Sequence, residues 1–151
     1  MIKHLCLLAV FIGVLFPAAA FATQPPGFWQ NPVIKSTGDL HPLPDAAYQP
    51  QKDVTYKAVF SVTRAQKNPK DMDNSLSSVA RAVNLFVYAG VPLDHLKFVV
   101  IIHGGATSIA LDNAHYKKEF GVDNPNLKVI KELKAAGVEI AVCGQALAGF
   151  N

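Results

Sequence analysis

Cys143 closes the short apolar run Val138–Val142, and Gly144-Gln145-Ala146-Leu147 after it reads as the first turn of a helix. A sulfur placed there meets unpaired backbone N–H groups and the positive end of the helix dipole. Both favour the thiolate, which is the nucleophilic form. Gly144 leaves space for a ligand to approach the backbone, and Gly144 and Gln145 are assigned to a ligand loop. His103 ends another apolar run, just before Gly104-Gly105. It can take a proton from Cys143 or hold an anionic sulfur species, with the two glycines presenting N–H groups. Arg64, beyond a third apolar segment, is suited to hold an anion. Each residue has a plainer reading. Cys143 can be a small core residue, His103 a strand terminus bonded to nearby backbone, and Arg64 a solvated side chain. Spacing alone leaves both readings open.

Other chemistries fit less well. A metal site from Cys143 and His103 with His115 or Asp112 matches no compact ligand motif, so no metal is expected. No G-x-G-x-x-G follows the first apolar segment, so no dinucleotide or other cofactor is expected. The formal charge is +3, with Lys and Arg spread along the chain rather than gathered in a stripe with aromatics. Nucleic acid is therefore not an expected partner.

The chain has 151 residues, enough for one small domain. Its start reads as an export leader: Lys3, the apolar run Leu5–Phe16, Pro17, then Ala20-Phe21-Ala22. The run of about 12 residues falls short of the roughly 20 that cross a bilayer. Cleavage is expected after Ala22, leaving a periplasmic or secreted protein with no membrane attachment. Cys6 leaves with the leader, so Cys143 becomes the single thiol of the mature chain, unable to form an internal disulfide. Residues 23–52 carry six prolines, at 25, 26, 32, 42, 44 and 50, and read as an extended arm or linker. Phe28, Trp29 and Tyr48 are candidates to lay it over the domain of residues 53–151.

The elements that must position Cys143 and His103 follow from periodicity. Val54, Tyr56, Ala58, Phe60 and Val62 alternate as in a strand. Leu76, Val79, Ala80, Val83 and Val87 form a helical stripe, capped by Asp71 or Asp73 and stopped by Gly90 and Pro92. Leu96–Ile102 reads as a strand covered on both faces. A second helix falls within Ala106–Phe120. Asn124-Pro125 opens another, with Leu127, Ile130 and Leu133 inside and Gly137 at its end. Alternating strands and helices imply an α/β fold with parallel strands, helices on both faces, and the loops after Val62, at His103 and at Cys143 on one edge.

The strand ending in His-Gly within Phe98–Gly105, the Asn124-Pro125 helix start, and Leu133–Gly144 closing in Val-Cys-Gly together resemble the DsrE/DsrF-like sulfur-relay family. The resemblance covers about Val54–Asn151 and is strongest over Asn124–Leu147. It implies a three-layer α/β sandwich with a mainly parallel sheet of flavodoxin-like winding, and assembly into homo-oligomers. It also implies a cysteine, here Cys143, that accepts sulfane sulfur as a persulfide, with His103 in the matching His-Gly segment. The partners would be sulfur donors and acceptor thiol proteins, or small sulfane sulfur compounds. Family members continue into a further helix and strand, so a sheet lacking them, or a fragment, is the expectation here. The rival reading is a non-catalytic module that binds a small anion or a protein, with Cys143 structural.

Overall fold

Alternation along Tyr56–Arg64 produces strand β1, whose Tyr56, Ala58, Phe60 and Val62 turn inward while Lys57, Val59, Ser61 and Thr63 stay exposed. The computed structural model describes residues 24–149. The leader Met1–Ala22, its cleavage point and Cys6 lie outside the described residues. Helix α1 (Asn74–Tyr88) begins at Asp73, whose carboxylate accepts from the N–H groups of Ser75 and Leu76. Those bonds satisfy backbone donors that the first turn leaves without a partner. The predicted stripe is buried at Leu76, Val79, Ala80 and Val83, and Asn84 is buried beside it. After a single 3-10 turn at Leu93–His95 come strand β2 (Leu96–Gly105) and a second such turn at Thr107–Ala110. Helix α2 (Asn113–Phe120), helix α3 (Leu127–Ala135), strand β3 (Glu139–Val142) and helix α4 (Gly144–Gly149) complete the described chain.

The strands pair in the order β1-β2-β3, and both pairings are parallel. The protein is α/β with a parallel sheet, and a final strand and helix are present. The two helical layers expected from the sequence reduce to one among the described residues. Buried side chains on β2 are Leu96, Phe98, Val100 and Ile102, and they share one core with α1 and α3. Lys97 on the opposite face is exposed, and Val99, Ile101 and His103 there are half-buried. Strand order explains the outcome. When each new strand adds on the same side, right-handed crossovers carry both connecting helices over the same face. Helices reach the second face only where the direction of strand addition reverses.

The proline-rich segment joins the core shared with α1 through Ile34, and Leu40 is also fully buried, while Trp29 and Tyr48 are exposed. Asn84 of α1 receives it. Its Oδ1 accepts from the N–H groups of Val33 and Ile34, and its Nδ2 donates to the carbonyls of Ile34 and Gly38. Gly38 lies so close to α1 that an added Cβ would stand 2.5 Å from the Arg81 nitrogen, and its φ of +78° disfavours any side chain.

Candidate functional site

β1 and β2 run in register from Tyr56↔Leu96 to Val62↔Ile102, then shift so that Arg64 faces Gly105. One residue of β1, Thr63, therefore stands against two of β2, His103 and Gly104. Gly104 supplies the left-handed backbone this bulge needs, with φ +57°. Thr107 Oγ1 fixes it by donating to the Gly104 carbonyl at 2.8 Å. Bulges at strand ends re-aim side chains. Here His103 leans along the exposed sheet face, and its Nε2 lies 2.8 Å from Ser61 Oγ of β1.

Cys143 follows β3 directly. Its N–H donates to the Ile102 carbonyl at 2.9 Å, so strand pairing continues one residue beyond Val142. Its carbonyl accepts from the Leu147 N–H at 3.0 Å, which makes it the residue from which α4 departs. Since Ile102 and Val142 face the helices, the alternation places His103 and Cys143 together on the opposite face, on adjacent strands. Cys143 is a free thiol, half-buried. Among the described residues no hydrogen bond joins its sulfur to His103. Gly144 and Gln145, the first residues of α4, are exposed.

A groove of about 950 Å³ lies at the carboxyl edge of β1 and β2. Of the residues singled out from the sequence, Arg64, Gly105 and His115 line it, while Gly104, His103, Cys143, Gly144 and Gln145 do not. Tyr116 and Phe120 of α2 and Leu147 of α4 complete its apolar wall. Tyr116 donates through its hydroxyl to the Pro69 carbonyl at 3.0 Å, and burial raises its pKa. Asp112 caps α2 by accepting from His115 N–H and also meets His115 Nδ1 at 2.8 Å. Those backbone and side-chain bonds hold the Asp112 carboxyl below its usual pKa. Among the described residues no three metal-binding side chains converge.

An asparagine chain holds the helix starts at this edge. Asn113 Oδ1 accepts from Asn124 N–H, and Asn124 Nδ2 donates to the carbonyls of Ile109 and Leu111. Asn124 Oδ1 accepts from both nitrogens of Asn126, and Asn126 Oδ1 accepts from the buried N–H of Asp73. Asn124 thus braces the start of α3 from one turn outside, while Asn126 occupies the N-cap position.

Sequence reasoning passed over Ser61, the partner of His103. Its signal was present, as a hydroxyl at an outward position of β1 near the strand's end, but only the pairing with β2 gives it meaning. A family model described as the DsrE/DsrF-like family matches residues 57–151. No curated protein and no solved structure matches the chain.

Proposed function

Given that the chain belongs to the DsrE/DsrF-like family, whose members relay sulfur between thiols, we propose that it carries sulfane sulfur as a persulfide on Cys143 in the periplasm. One observation carries this reading. The single thiol of the described residues is half-buried, sits where β3 ends, and shares a sheet face with His103. In the loading step the Cys143 thiolate attacks the outer sulfur of a persulfide R–S–SH. The S–S bond of the donor breaks, a new one forms to Cys143, and R–S⁻ departs. Unloading repeats the exchange with an acceptor thiolate, and His103 moves protons as the sulfur changes charge.

The leader at Met1–Ala22 supports the periplasmic location. Homo-oligomer formation is implied by the family, and Val59, 73% exposed on the uncovered sheet face, is the apolar side chain a second copy would cover. Treating the protein with inorganic polysulfide and weighing it tests the carrier role. The expected result is a gain of one sulfur atom, located at Cys143 and absent in Cys143→Ser. An accessible thiol that gains no sulfur rejects it.

The groove favours a second reading, a binding module, because Cys143 does not line it. Native alkylation separates the two: a thiol that labels only on unfolding supports the binding module.

A further inference from the structure

The groove beside α4 combines two features that select a ligand. Its walls include Tyr116, Phe120 and Leu147, and it also carries the cations Arg64, Lys67 and Lys118. Lys117, next in sequence, pairs with Asp123 at 3.4 Å, whereas among the described residues no carboxylate pairs with those three cations. Glu119 is the carboxylate of the lining, and His115 is held by Asp112. Positive charge therefore predominates over an apolar floor, at the strand edge where open α/β sheets bind ligands. At about 950 Å³ the groove is far larger than an inorganic anion requires and within the usual range for organic ligands.

We propose that this groove binds a small organic anion, and that its occupant is an anionic low-molecular-weight thiol which delivers sulfur to Cys143. The second clause rests on the persulfide reading above. Leu147 lines the groove and donates its N–H to the Cys143 carbonyl, and Gly105 lines it two residues beyond His103. Cys143 and His103 themselves do not line the groove, so the ligand's sulfur must reach past Leu147 and Gly105 to meet Cys143. The ligand's carboxylates sit on Arg64, Lys67 and Lys118, and its carbon chain lies on Tyr116 and Phe120. In the transfer, Cys143–S⁻ and R–S–SH become Cys143–S–SH and R–S⁻. The outer sulfur changes partner, the proton stays on it, and no external oxidant or reductant is consumed.

The test uses the ¹⁵N-labelled protein carrying Cys143→Ser, titrated separately with glutathione as the anionic thiol, 2-mercaptoethanol as the neutral one and cysteamine as the cationic one. Glutathione alone is expected to shift amides between Arg64 and Gln66 and between Lys117 and Phe120. Lys67→Glu with Lys118→Glu should weaken its binding by about tenfold, and added salt should weaken it in the parent. Lys131→Glu with Lys134→Glu, on α3 and outside the groove, makes the same change in net charge and should alter binding little. Equal binding of all three thiols, shifts elsewhere, or an equal loss in the Lys131→Glu, Lys134→Glu variant overturns the proposal. Polysulfide loading of Cys143 is read separately in the unmutated protein. Loading without glutathione binding overturns the groove assignment alone, whereas binding without loading overturns the carrier role.

Discussion

A histidine at a strand end is useful to a neighbouring sulfur only if its ring is held, and Ser61 is what holds His103. The bulge at His103-Gly104 turns the ring along the sheet, and the serine hydroxyl on β1 fixes Nε2, leaving Nδ1 for proton exchange. In the proposed carrier Ser61 is a positioning residue, acting through the imidazole. Removing an exposed hydrogen bond costs at most about 1 kcal/mol, so Ser61→Ala should fold normally. We expect its rate of polysulfide loading to fall by about tenfold and the pH profile of that rate to change, with Ser61→Thr restoring both. Stopped-flow loading across pH 5–9 checks this. An unchanged profile in Ser61→Ala would mean that the serine only fills the surface.

At the scale of elements, one helix carries two loads. The inner stripe of α1 builds the core, and Asn84, buried beside that stripe, makes four hydrogen bonds with the proline-rich segment. Asn84→Ala would strand buried backbone groups of Val33, Ile34 and Gly38 and should cost about 2–4 kcal/mol. Gly38→Ala should cost a similar amount, about 2–4 kcal/mol, from its positive φ and its contact with the α1 backbone. Chemical denaturation reads both, and a loss below about 0.5 kcal/mol in each would show the segment to be only loosely laid on α1. Periodicity made much of this level legible: the β1 alternation, the Asp73 cap, the start of β2 and the stripe of α1 are all where local pattern places them. Asn84 was not legible, because a polar residue in a helix reads as solvated until its partner is known. Trp29 and Tyr48 misled for the reverse reason. Aromatic size suggests burial, but Ile34 and Leu40 are the side chains that reach the core side of the arm.

Over the whole molecule, what the sequence left unreadable is strand order, since no local period encodes which edge a new strand joins. The continuous apolar run of β2 suggested cover on both faces, yet helices α1 and α3 share one face and leave Val59 exposed on the other. The site was legible in part for the same reason: Cys143 and His103 could be assigned to strand ends, but their common face and Ser61 required the pairing. Tertiary closure of the arm onto both helices has a titratable latch at Glu132 of α3. Burial alone would raise its pKa, but Ser36 donates from both N–H and Oγ to Oε2, at 3.0 and 2.8 Å, and Lys128 adds attraction. The net direction is downward. A carboxylate whose folded pKa lies below its unfolded one contributes stability that is complete above the unfolded value and lost as pH falls through the folded value. Stability should therefore decline as pH drops from the ordinary glutamate range into more acid solution, with the arm loosening first. Glu132→Gln should remove that part of the acid dependence while remaining folded at neutral pH. Amide exchange at Val33–Leu40, compared between the two proteins at neutral and acid pH, measures it. If exchange at these residues accelerates equally in both proteins on acidification, the latch lies elsewhere.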